Sequence, residues 1–421
     1  MSDRDAALQA RPWAGPGLRE FVAMMAALMA VNALAIDAML PALPAIGDAL
    51  GVGEDNRRQL VITFYLLGFG SAQLLYGPLS DRLGRKTILI VGLAFYGLFA
   101  LMSGLVTSFE MLLAARFLQG VAAAATRVLV VAIVRDRFHG AQMARLMSLV
   151  FIVFMIVPVL APAFGQAVLL VASWRFIFIG LGVYCVAMMV WAMLRLPETH
   201  PPGKRRALSI RSVAGAVATT LRHRLSIGNT VALTLVMGGL FGFINSIQQI
   251  VFDVFGRPEL MALVFASIAG PMALSSWLNS RIVVRLGSRR IMLTALAAFS
   301  LFAAAHLVLV FFAGETLLVF IVLQALTMAS FGLISANLGA IAMEPLGHIA
   351  GTASSVQGTV TTIGGALIGL AIGQNFDGTT VPFLTGFTLC GAAALGIALW
   401  TNRPDETMPG SLADLPDRGG S

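Results

Sequence analysis

Three observations predict an all-α membrane protein of twelve transmembrane helices in two pseudo-symmetric six-helix halves. Apolar runs of about 20 residues or more recur along the whole chain. One long polar stretch divides them six and six, and a short loop sequence occurs once in each half. The composition agrees: 58% of the 421 residues are hydrophobic and 11% are charged, against about 25% charged in an average soluble domain.

The expected spans are 21–46, 58–79, 87–107, 110–134, 144–171, 174–195, 225–251, 259–284, 290–312, 316–343, 349–374 and 380–402. A helix rising 1.5 Å per residue needs ~20 residues to cross a hydrocarbon core, so the longer runs tilt or extend beyond it. Residues 1–20 form a polar N-terminal tail without a cleavable signal pattern, because the apolar run that follows exceeds a signal h-region. Residues 21–196 make an N-terminal bundle and 225–402 a C-terminal one. The linker 197–224 holds a proline-broken exit and then a basic, mildly amphipathic stretch, suited to the membrane surface or to solvent. The tail 403–421 is acidic, rich in Pro and Gly, and expected to be disordered.

Charge sets the orientation. The loops on the side of the N-terminus carry seventeen Lys and Arg, those on the opposite side four. The positive-inside rule therefore places both termini in the cytoplasm. A net charge of +8 in a soluble chain would suggest nucleic acid. Here the basic residues flank membrane spans, so the expected partner is the lipid bilayer and not nucleic acid.

The loop after span 2, "GPLSDRLGRKTIL" (77–89), has a weaker copy after span 8, "SRIVVRLGSRRIML" (280–293). Val284 and Ser280 in the copy stand where the first has Asp81 and Gly77. Gly77 permits close helix approach and Gly84 a tight turn. Asp81 can accept from Arg82 or Arg85, or face the start of a helix across the halves near 350–355, where partial positive charge collects. Such a contact would latch the cytoplasmic side. A basic loop that merely sets topology is the alternative.

Within span 1, "IDAMLPALP" (36–44) sets a carboxylate in apolar surroundings and follows it with Pro41 and Pro44. An ionisable group at mid-membrane costs at least ~2.5–3.5 kcal/mol, and the prolines predict a broken helix end. Arg116 in span 4 lies at similar depth, so the two can interact directly or through water. Arginine stays charged, which leaves Asp37 to titrate. It is the expected proton-coupling group, with a static tie between the two spans as the alternative. Asp37 is the one acidic residue that falls well inside a span, while His306 is expected to be structural or lipid-facing.

Arg127 follows Arg116 by eleven residues, close to three turns, and shares its face. Two arginines against one aspartate make a positive cavity, favouring neutral or anionic amphiphiles over cations. Alternatively, Arg127 snorkels to the inner interface. Candidate substrate-wall residues are Asn32, Tyr65, Gln119, Arg127, Phe154, Asn245, Gln248 and Gln357, a few polar groups in an apolar pocket. Pro158, Pro162 and Gly165 of "VPVLAPAFG" (157–165) predict a bent span 5. Cys185 and Cys390 lie in apolar runs and the five histidines are scattered, so neither a metal site nor an enzyme is expected.

Twelve spans with "GPLSDRLGRK" between the second and third resemble the major facilitator superfamily. "ARFLQGVAAAA" (115–125), "SWRFIF" (173–178) and "PET" (197–199) are similar to it as well. The arrangement of Asp and Pro in span 1, together with "VPVLAPAFG", looks like its twelve-span drug:proton antiporter branch, most of all the Bcr/CflA drug-resistance group. The resemblance covers about 18–402. It implies alternating access by rocking halves in a bacterial inner membrane. It also implies a latch at Gly77, Asp81, Arg82, Gly84, Arg85 and Lys86, and export of small drug-like compounds. No cofactor is expected beyond the proton gradient, and a monomer is the expected form. Val157 replaces the glycine usual before the first proline, so direction stays open: a metabolite/proton symporter or importer uses the same fold.

Overall fold

A computed structural model describes residues 15–138, 140–200, 203 and 210–402. Every regular element among them is helical. In the first half these are α1 (Leu18–Asp37), α2 (Leu43–Ala49), α3 (Leu60–Leu83), α4 (Arg85–Leu105), α5 (Phe109–Arg137), α6 (Gly140–Val171) and α7 (Arg175–Arg195). Then come α8 (Ile210–Arg222), α9 (Arg224–Gln249), α10 (Met261–Leu286), α11 (Ser288–Ala313), α12 (Leu317–Met343), α13 (Ala350–Gln374) and α14 (Val381–Thr401). Eleven helical stretches among the described residues are long and apolar enough to cross a membrane. The remaining expected span, 144–171, falls in the 32-residue α6. The protein is a multi-pass membrane protein.

The break expected in span 1 is present. α1 stops at Asp37, a 3₁₀ turn covers Leu40–Ala42, and α2 carries Pro44 in its first turn, where no amide donor is needed. In both loop copies a glycine with positive φ joins two helices, Gly84 at 101° and Gly287 at 79°. A side chain is strained there. The start of α4 is capped from far along the chain: Glu198 accepts from the amides of Arg85 (2.8 Å) and Lys86 (3.2 Å). A carboxylate is favoured at that helix end.

Within the first half, α3 packs on α5, α4 on α5 and α7, and α1 on α6. In the second half α9 packs on α13 and α14, and α12 on α10 and α11. The halves meet through α3 against α13 and α6 against α10. The linker region contains α8, which touches α13 and α9.

Candidate functional site: a cavity between the halves

The halves enclose a cavity of about 900 Å³. Its walls come from both halves and reach Asp81, Arg85, Arg135 and Gly351, on the face carrying the 84 and 287 turns. The loop charges make that face the expected inner one. Toward the other face the halves are joined by uncharged groups. Asn56 donates to the carbonyls of Gln374 (3.1 Å) and Phe376 (3.0 Å), and Gln374 donates to the Asn56 carbonyl at 2.6 Å. Gln59 donates to Gln249 Oε1 (2.5 Å) and to the Gly373 carbonyl (3.1 Å), and Gln249 donates to Asn56 Oδ1 at 2.7 Å. Gln166 of α6 donates to the Pro258 carbonyl at 2.9 Å and accepts from the Ala262 amide at 3.3 Å. The structure is therefore open on one face and sealed on the other.

Away from that cavity, in the first half, lies a buried polar layer. The fully buried Arg116 donates to Gln119 Oε1 (2.8 Å), the Val61 carbonyl (3.1 Å) and the Ala35 carbonyl (2.8 Å). Its guanidinium lies 4.4 Å from the Tyr65 ring centroid. Tyr65 donates to Asn32 Oδ1, and Asn32 donates to Thr126 Oγ1, both at 3.0 Å. Ala35 is in the last turn of α1, whose carbonyls lack partners within the helix, so Arg116 caps the broken helix that ends at Asp37. The direct Asp37–Arg116 bond allowed by matched depth is absent: the guanidinium is committed to two carbonyls and an amide. Asp37 is 5% exposed and has no hydrogen bond or ion pair among the described residues. Gly165 of the proline-bearing α6 presses on the carbonyl of Ala38, where a Cβ would collide with it. The predicted bending segment thus abuts the break beside Asp37.

At the inner mouth, Arg85 pairs with Asp81 (2.5 Å) and Asp136 (3.1 Å) and also bonds Ser80 Oγ. Thr199 donates to Asp136 at 3.2 Å, and Lys86 Nζ to the Met193 carbonyl at 2.8 Å. Arg82 is exposed. Asp81 makes no bond to 350–355 among the described residues. The approach there is through Gly77, where a Cβ would stand 3.9 Å from Ser355 Oγ.

Of the expected substrate wall, Arg127 and Gln357 line the cavity. Asn32, Tyr65 and Gln119 do not; they are absorbed in the network around Arg116. Asn245 and Gln248 are buried in α9 outside the cavity wall, Asn245 with both amide atoms unpartnered. The side chain of Phe154 lies outside the described residues. His306 is buried, not lipid-facing, and bonds Glu315, which also accepts from Thr380 at 2.6 Å. Glu315 and the amides Asn56, Gln59 and Gln249 were not singled out by the sequence, since each sits at a span end where polar residues are ordinary.

Residues 25–369 match the Major Facilitator Superfamily. The chain is 30% identical over 365 residues to an uncharacterized MFS-type transporter, YdgK, of Bacillus subtilis (strain 168), covering 85% of this chain and 89% of that one. It is 28% identical over 381 residues to a bicyclomycin resistance protein homolog of Haemophilus influenzae, covering 88% and 93%. The crystal structure of the human organic anion transporter MFSD10 superposes with a TM-score of 0.64 at 20% identity, covering 92% of this chain and 99% of that one. With its helical halves, its paired glycine turns and the cavity between them, this chain belongs to the Major Facilitator Superfamily.

Proposed function

We propose that the protein is a proton-coupled exporter of small amphiphilic, drug-like compounds, neutral or anionic in preference to cationic. It acts as a monomer in a bacterial inner membrane with both termini in the cytoplasm. The observation that carries the reading is Asp37: a buried carboxylate at the end of a broken helix whose last turn is held, through the Ala35 carbonyl, by the fully buried Arg116. The likeness to a bicyclomycin resistance protein homolog supports drug export.

In this reading, protonated Asp37 leaves Arg116 on the Ala35 carbonyl. When the proton departs, the ionised carboxylate is a stronger acceptor two residues along the chain, and the guanidinium turns to it. That exchange moves the end of α1 against Gly165 of α6, and α6 packs on α10 of the other half. A proton is thereby converted into a change at the interface between halves. Asp81 of the 77–86 loop takes the start of α13 when the inner mouth closes, leaving Arg85 to Asp136.

The test is a drug-susceptibility panel in a host lacking its own exporters, comparing wild type with Asp37→Asn at equal membrane expression. Neutral and acidic antibiotics belong beside cationic dyes. Resistance that vanishes in the variant is expected. Resistance that survives intact removes Asp37 from coupling, and wild-type protein that protects against nothing sinks the exporter reading.

A further inference from the structure

Arg127 takes no part in the proposed proton step and has no partner of its own among the described residues. Its side chain is exposed to the cavity, and among the described residues it makes no hydrogen bond or ion pair. It lies ten residues short of the inner end of α5, ~15 Å along the helix, so it faces the cavity interior and does not snorkel to the surface. Among the described residues of the cavity wall one is acidic, Asp81, already paired with Arg85 at 2.5 Å. Arg135 stands at the mouth beside Gly351. The described charged groups of the wall thus leave an excess of positive charge, with Arg127 its deepest unpaired member.

We propose that Arg127 anchors a single anionic head group, a carboxylate or sulfonate, on an amphiphile whose apolar body lies against Val159, Met237 and Trp277. This deepens the exporter reading and rests on it. A guanidinium offers two parallel donors matched to such an oxyanion, and the three apolar residues line the same cavity from both halves. As the inner mouth closes, the cavity loses water and an unpaired guanidinium becomes costly to bury. A bound anion removes that cost and so favours closure, as a ligand must if it is to shift the equilibrium. A cation has the opposite effect. There is an energetic corollary: exchanging an anion outward for a proton inward moves two elementary charges in the direction an inside-negative potential drives, whereas a neutral substrate moves one.

The test uses full-length protein in lipid nanodiscs and three probes sharing one fluorophore: dansyl-β-alanine (carboxylate), its methyl ester, and dansylcadaverine (amine). Empty nanodiscs give the lipid background. The wild type should bind the carboxylate about ten-fold or more tightly than the ester, the order expected for a charge-assisted bond, with the amine weakest. Arg127→Gln should erase that advantage and leave the ester within about two-fold, and Arg127→Lys should keep part of it. Equal wild-type affinity for carboxylate and ester, or an equal loss of both in Arg127→Gln, overturns the assignment. Proteoliposomes under an imposed pH gradient separate the two claims. Gradient-driven movement of the ester with no carboxylate preference overturns only the Arg127 anchor; no gradient-driven movement of any probe overturns the exporter reading and the anchor with it.

Discussion

The two ends of the interface between the halves use different chemistry. At the outer end Asn56, Gln59, Gln249 and Gln374 bind across the halves with amides and carbonyls alone. At the inner mouth the bonded groups are charged, and they are satisfied within the first half: Asp81 and Asp136 on Arg85, and Glu198 on the start of α4. Opening the outer end therefore breaks several neutral hydrogen bonds, each worth only about 0.5–1.5 kcal/mol net because water replaces the partner. In the proposed cycle, closing the inner end exchanges contacts inside one half for contacts between halves. A seal of weak replaceable bonds opposite a mouth with competing partners suits the alternation that the proposed cycle requires.

The largest effect should come from locking the outer end. Asn56→Cys with Gln374→Cys, oxidised to a disulfide, should stop transport completely, with recovery on reduction. Cys185 and Cys390 are buried and do not compete. Transport that continues in the cross-linked protein would show that this end does not open. Next is the inner end. Asp81→Asn should slow transport by about ten-fold, equivalent to ~1.4 kcal/mol, by weakening the closed inner state. A reporter at Ser355→Cys should then stay reactive from the inner side; unchanged transport, or a protected reporter, counts against the latch.

The contrast sharpens if a charge is placed in the neutral seal. Gln59→Glu loses the donors to Gln249 and Gly373 and sets a carboxylate against their oxygens, costing about 1–3 kcal/mol. The ionised form repels those acceptors and the protonated form can donate. Outer closure in this variant should therefore strengthen as external pH falls, while wild-type closure stays flat over the same range. Spin-label distances across the outer end would read both, and a flat response in the variant would argue that Gln59 is peripheral. The smallest effect is expected away from both ends: Glu315→Gln should lower the melting temperature and leave transport rates unchanged, because its carboxylate joins His306 and Thr380 within the second half. A large transport defect there would extend the mechanism to that cluster.

Much of the architecture was legible because membrane burial forces it. Apolar runs, the basic loops and the repeated Arg-Leu-Gly turn give the span order and the two halves, and Pro41 with Pro44 gives the break after Asp37. Helical spacing sets Arg127 on the face of Arg116, yet of the two expected cavity arginines only Arg127 lines the cavity, Arg116 being spent on Val61, Gln119 and Ala35. The partner of Arg116 was not legible: depth arithmetic gives height in the membrane, and at that height the backbone carbonyl of Ala35 competes with the Asp37 carboxylate without any signature in the side-chain sequence. The outer seal was hidden for a related reason. Asn56 and Gln374 are 318 residues apart, and each alone looks like a polar span end facing water. Asn245 and Gln248 misled because α9 is buried nearly all round, so polarity does not reveal which side meets the cavity.

The cap on α4 bears on the order of construction. Glu198 lies 113 residues beyond the Arg85 amide it binds. While the chain is being made and inserted, the first turn of α4 must wait, uncapped, through the synthesis of three further spans. Only when the ribosome has passed "PET" can the carboxylate arrive and close that inner corner. The bond can therefore form only once all six spans of the first half have been made. Nascent chains cut just before Glu198 should carry an N-terminal bundle whose 84–86 corner is open to protease, and chains cut after Thr199 one that is closed.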